Sequence, residues 1–259
     1  MGISILRIWA IAANGFREVI RDRILYFIGF FALLMAFAWR LLPEIAVGTH
    51  QKIFLDLGLA AIGLLGVIVA VFVGTELINK EIDKRTILVL IPKPLSRAEF
   101  ILGKHLGLSG VLAVMLGVML VIYLLMLSGM KVSFQALPLI VSVFYLGLEL
   151  ILIAAVAIAF GVFTSSILAT LMTFGVYLMG HISKDLIQLG IISKNANILA
   201  ITKNIYLILP DLERLNFRNE AVYGLLPSAD VLIANALYSL VYTGLLLGIS
   251  ILIFSRRQF

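Results

Sequence analysis

Long apolar runs separated by short polar interruptions dominate the chain. A helix needs about 20 consecutive apolar residues to cross the hydrocarbon core of a bilayer. Six segments reach or approach that length: residues 24–42, 54–78, 105–127, 137–162, 167–182 and 231–254. The stretch from Leu137 to Ile182 holds one charged residue, Glu149, and is long enough for two spans, with Thr164-Ser165-Ser166 as the expected turn. Ahead of the first span, Ile5, Trp9, Ala12, Phe16 and Val19 recur at spacings of three and four, while Arg7, Asn14, Arg17, Glu18 and Arg21 lie off that stripe. This pattern predicts an amphipathic helix within residues 1–23, lying in the membrane interface with Trp9 at the boundary. Between the fifth and sixth spans, residues 183–230 carry apolar pieces too short to cross, which suit re-entrant or interfacial helices. The run from Leu209 to Glu220 is expected as the polar tip of that connection. Continuous rather than alternating apolar runs argue against a transmembrane β-barrel. The pattern predicts a single-domain, all-α integral membrane protein of six transmembrane helices, with residues 79–104 as its main charged connection.

Composition agrees with this pattern. The chain is 62% hydrophobic and 13% charged, with mean hydropathy +1.14, whereas a soluble domain carries about 25% charged residues. The net charge of +6 fits positive-inside bias and contact with anionic lipid headgroups, not nucleic-acid binding. With the N-terminus inside, twelve Lys and Arg fall on the inner face and eight outside, five of those eight in the 183–230 connection. This favours cytoplasmic N- and C-termini in a plasma membrane. Arginines spread through the first 23 residues leave no uninterrupted apolar core for a cleavable signal peptide. The absence of cysteine removes disulfides, thiolate metal sites and thiol nucleophiles. Small residues recur along the second span (Gly66, Ala70, Gly74), the third (Gly103, Gly107, Gly110, Ala113, Gly117) and the sixth (Gly244, Gly248). They predict close helix packing within a bundle, with a dimer seam as the other use of such stripes.

The charged island from Thr75 to Lys104 holds six of the twenty Lys and Arg. A helix is expected to continue out of the second span from Glu76 to about Ile91, with Glu81 and Arg85 four apart in the favourable acid-first order. Pro92 and Pro94 end it in a stiff corner. Ser96-Arg97-Ala98-Glu99 is then a capping box for the next helix, with Leu95 and Phe100 placed as a hydrophobic staple. Such an element transmits a push from a soluble partner, or else is a solvated loop that only orients the protein.

The residues Glu76, Glu81, Arg85-Thr86, Pro92, Pro94, Ser96-Arg97 and Gly103-Lys104 resemble the signature of ABC-2 type exporter permeases, with Arg85 where many members carry glycine. That departure resembles the NosY-like subgroup. The resemblance covers the whole layout: interfacial N-terminal helix, six spans and a long outer connection before the last. It implies the ABC-2 type exporter fold, with a cytoplasmic coupling helix between spans two and three and short helices between spans five and six. It implies a prokaryotic inner-membrane permease that moves a substrate using ATP, paired with a second copy or a related permease. ATP and magnesium would sit on a separate cytoplasmic ABC ATPase docked on Glu76, Glu81, Lys84, Arg85, Pro94, Ser96, Arg97 and Lys104. The chain itself has no phosphate-binding loop, since His105 follows Gly103-Lys104 and no glycine precedes Gly103 by five. It is therefore not expected to be an enzyme or to bind a cofactor.

Glu149 is the one carboxylate deep in a span, and a charge at the bilayer centre costs about 2.5–3.5 kcal/mol on insertion scales. It either lines a transport route or is a protonated, hydrogen-bonded packing residue. His181 and Asp185, four apart on one helical face near the outer end of the fifth span, could share a proton or a metal, though two ligands without a third make a weak metal site. His50 and Asp56 are equally thin as a site. The rival readings are a membrane-embedded enzyme using Glu149 or the His181–Asp185 pair, and a non-transporting scaffold for a cytoplasmic ATPase.

Overall fold

A computed structural model describes residues 4–46, 48–83 and 96–256. The helices are α1 (Ile5–Val19), α2 (Leu25–Ile45), α3 (His50–Asp83), α4 (Arg97–Gly129), α5 (Ala136–Phe163), α6 (Ser166–His181), α7 (Ser183–Ile192), α8 (Ala196–Ile208), α9 (Arg218–Val222) and α10 (Ala229–Arg256). A π-helical step, Ile20–Ile24, joins α1 to α2, and a 3₁₀ turn, Leu212–Leu215, precedes α9. Five helices are long and apolar enough to cross a membrane: α2, α3, α4, α5 and α10. The bent pair α6 and α7, with a 64° angle at its break, passes the same apolar test only when taken together, as a broken span or a re-entrant loop, giving five to six candidate spans. The chain is a multi-pass membrane protein. The break at Thr164-Ser165 falls where the turn between the fourth and fifth spans was expected.

Helix α5 is the centre of the bundle. It is apolar all round, and the run Leu150–Ala159 is buried apart from Ile151, as a helix enclosed on every side must be. It packs against α3, α4, α6 and α10. Helix α2, by contrast, is mostly exposed, with Leu25, Tyr26, Phe30, Leu33 and Phe37 facing outward. Large apolar side chains on the outside suit contact with lipid or with another membrane helix.

Several of the glycines are seats for neighbours. A Cβ on Gly74 would lie 2.8 Å from the Ala157 Cβ, and one on Gly66 would lie 2.4 Å from Leu150. Gly103 and Gly107 of α4 instead receive α1: their added Cβ atoms would meet Ile11 at 2.6 Å and the Ala12 carbonyl at 2.8 Å. The predicted stripes are thus packing surfaces in α3 and in the first half of α4. Gly117, Gly244 and Gly248 have nothing within 4 Å of such a Cβ. Hydrogen bonds between helices supplement this packing. The Tyr123 hydroxyl donates to the Leu55 carbonyl at 2.7 Å, and Ser239 donates to Leu148 at 3.1 Å.

The N-terminal stripe divides in two. Ala12 and Val19 are buried beneath α1, while Ile5 and Trp9 at its start stay 82% and 71% exposed. The 183–230 connection begins as a helical hairpin, α7 against α8, with Thr202 and Leu199 closing over Gly190. The Leu209–Glu220 run is not a polar tip. Leu212, Leu215 and Phe217 are buried, because they alternate with polar residues along an irregular segment that lies on the bundle. Its charges are satisfied locally: Arg214 donates to Asp211 at 2.9 Å, and the Asp211 amide donates to the Tyr238 hydroxyl at 2.8 Å.

Candidate functional site

The charged island meets the bundle where α3 ends and α4 begins. Helix α3 is 34 residues long, which at about 1.5 Å per residue gives roughly 50 Å, well beyond the about 30 Å hydrocarbon core. It is therefore longer than the hydrocarbon core requires, while Leu77, Ile78 and Asn79 near its end remain buried in the bundle. Near its end, Thr75 shares a 3.0 Å hydroxyl contact with Thr170 of α6, and Asn79 donates to the Thr75 carbonyl at 3.0 Å. Glu76 is half-buried on the same turn. Lys80 reaches Glu18 of α1 at 3.3 Å.

Helix α4 opens with the predicted capping box. Ser96 Oγ accepts from the Glu99 amide at 3.1 Å, and Glu99 Oε2 accepts from the Ser96 amide at 2.8 Å. Its other oxygen, Oε1, accepts from the Ser4 amide at 2.8 Å, at the first residue before α1. Arg7 stands 3.7 Å from the same carboxylate. One buried side chain therefore caps α4 and holds the start of α1.

Arg97 does a parallel job on the other side. Its guanidinium donates to the Phe254 carbonyl at 2.7 Å and also to the Ser255 carbonyl, the last turn of α10. A cation suits the negative end of a helix dipole. The Phe100 and Phe254 rings stack below it, 5.8 Å between centroids. Lys104 is buried, with its ammonium 5.7 Å from the Phe100 ring centroid. The ends of α1, α4 and α10 thus form one hydrogen-bonded collar at the α4 side of the island. The side chain of Glu81, and Lys84, Arg85, Pro92 and Pro94, lie outside the described residues, as does the Leu95 half of the staple.

Glu149 sits on α5, deep in the bundle and only 3% exposed. His181 Nε2 lies 3.4 Å from its Oε1. His181 does not pair with Asp185: the helix breaks at Ile182, and Asp185 falls exposed on α7. The Arg218 guanidinium enters from α9 beside Gly63, where an added Cβ would stand 2.9 Å from its Nη2. Glu149, His181 and Arg218 line one cavity of about 20 Å³ with Ser142 and Asn216, room for a single water. His50 starts α3 while Asp56 is exposed one and a half turns on, and no hydrogen bond or ion pair joins them among the described residues. Among the described residues no group of three or more His, Asp and Glu is placed to hold a metal ion.

The Arg218–Gly63 fit leaves no local signal, since the two residues are distant in sequence and on different helices. The second use of Glu99 is likewise hidden, because a capping box accounts for only one of its oxygens. No curated protein matches the chain. The family model described as ABC-2 family transporter protein matches residues 9–259, and the chain therefore belongs to the ABC-2 transporter family, as the membrane component of an ABC transporter.

Proposed function

We propose that this chain is the permease subunit of an ATP-driven exporter, and that a separate cytoplasmic ABC ATPase docks on the α3–α4 connection. The observation that carries the reading is the collar. Helix α4 starts at a cap whose glutamate, Glu99, also holds α1, and Arg97, two residues before that glutamate, holds the end of α10. Force applied to the connection would reach three membrane elements at once. Members of the family work with an ABC ATPase in general, and the missing phosphate-binding loop fits that division of labour. Glu81, Lys84, Arg85 and Pro94 would form the docking face, with Glu76, Ser96, Arg97 and Lys104 supporting it from the bundle. Lys104 is buried among this chain's own residues, which gives it a positioning part.

A second permease copy, or a related one, would pair through the exposed apolar faces. The Asp83-Lys84-Arg85-Thr86 run supports the NosY-like subgroup. Glu149 does not favour the membrane-embedded enzyme reading, since its cavity holds no more than a water. Co-reconstitution with the cognate ATPase tests the proposal. Glu81→Ala with Arg85→Ala should abolish ATP-driven flux and weaken ATPase capture. Unchanged flux in the double variant would refute the docking assignment, and intact ATPase capture without any flux would favour a scaffold.

A further inference from the structure

We propose that Glu149, His181 and Arg218 form a buried proton-binding site, in which uptake of a second proton releases α9 from the bundle. The inference stands apart from ATPase docking, which lies at the opposite end of the helices.

Hydrogen-bond chemistry requires at least one proton between Glu149 and His181. His181 Nδ1 lies 3.1 Å from the Tyr177 carbonyl oxygen. A carbonyl only accepts, so Nδ1 carries the hydrogen of that bond. A neutral ring then turns the Nε2 lone pair toward Glu149 Oε1, 3.4 Å away. Two lone pairs repel, so a proton sits on the carboxyl or on Nε2. Oε1 is buried and has no hydrogen-bond partner among the described residues, so His181 at ion-pair distance is the polar group closest to answering it. It faces a cavity of about 20 Å³, where one water can relay the proton.

Arg218 makes the site sensitive to a second proton. With one proton on the pair, the carboxylate and imidazolium together are neutral and the carboxylate also answers the guanidinium, whose charge acts on Glu149. With two, a neutral carboxylic acid stands between an imidazolium and a guanidinium, and like charges in a low-dielectric interior repel strongly. Of the other groups facing Glu149, only Glu213 carries a charge that opposes this. Tyr177 is neutral, Leu59 of α3 carries no charge, and Ser239 of α10 is bonded to the Leu148 carbonyl. Glu213, on the 3₁₀ turn, is the one other acid acting on Glu149 and accepts from Asn216 at 3.1 Å. The site is also shaped for its contents, because Gly63 leaves the space that Arg218 occupies. His181 is the last residue of α6, at the 64° bend into α7. The charge of this cluster therefore bears on the start of the 183–230 connection and on α9 within it.

The test uses the full chain in lipid nanodiscs, with spin labels at Ser128→Cys and Asn219→Cys, both exposed in a chain without native cysteine. At about pH 8 the distance distribution should be narrow, and at about pH 5, across the histidine range, a longer component should appear. Glu149→Gln removes the negative charge that answers Arg218 across the cavity, so the longer component should be present at both values. His181→Gln removes the second cation, so the distribution should stay narrow at both. No shift in the wild-type pair overturns the proposal. So does a His181→Gln variant that keeps the wild-type shift, or a Glu149→Gln variant that stays narrow. If Glu149→Gln fails to fold, the wild-type and His181→Gln measurements decide alone.

Discussion

Glu99 accepts from two backbone amides that belong to different helices, Ser4 and Ser96. Its replacement by alanine leaves both amides without their acceptor, whereas Gln keeps one oxygen for a single amide. Glu99→Ala should therefore unfasten α1, seen as faster hydrogen exchange over residues 5–12, and Gln should show a partial effect. Loss of the Ser96 cap alone, in Ser96→Ala, should cost about 1 kcal/mol and leave α1 exchange near wild type. The Glu18–Lys80 pair, with both side chains about two-fifths exposed, should contribute little to stability. A further expectation concerns Gly63. Valine there occupies the space of the Arg218 guanidinium, and overpacking typically costs about 1–3 kcal/mol. Thermal unfolding in detergent should show that loss for Gly63→Val. The capping box was legible from Ser96 and Glu99 alone because it is a local, four-residue pattern. The Ser4, Arg218 and His181 partners were not, because each is supplied by another helix.

At the scale of the element, the small-residue stripes show what sequence can and cannot tell. Spacing of four identified the close-packing face of α3 and of the first half of α4, and those glycines do seat Ala157, Leu150, Ile11 and Ala12. The identical spacing in α10 seats nothing, so periodicity finds a surface without naming its partner. Substitution separates the two cases. Gly107→Val should lower stability by about 1–3 kcal/mol and displace α1, read by exchange over residues 5–19. Gly244→Val should stay within about 0.5 kcal/mol of wild type for the isolated chain. The long apolar runs revealed the spans for the same reason, since hydrophobic length is a property of one segment. The Leu209–Glu220 segment defeated that logic. It is rich in charge, yet Leu212, Leu215 and Phe217 bury against the bundle while Asp211 and Arg214 neutralise each other.

For the whole molecule, the arrangement of charge distinguishes the two ends of the bundle. Arg7, Arg17, Arg21, Lys80, Arg97, Lys104 and Arg256 gather at the collar end. The opposite end has its cations dispersed, and several are already engaged: Lys52 lies over the Tyr223 ring, Arg214 is held by Asp211, and Arg218 is inside the bundle. Cations near span ends set orientation, so the collar end should face the cytoplasm, where ATP is available to a docked subunit. The cysteine-free background permits a direct measurement. Arg256→Cys is exposed at the collar end, and Ser128→Cys and Asn197→Cys are exposed at the other. In intact cells a membrane-impermeant maleimide should label positions 128 and 197, and position 256 only after permeabilisation. The reverse pattern would put the α3–α4 connection on the side without ATP. It would thereby remove the physical basis for ATPase docking, while leaving the Glu149–His181–Arg218 proton site, a property of the bundle interior, to stand on its own measurement.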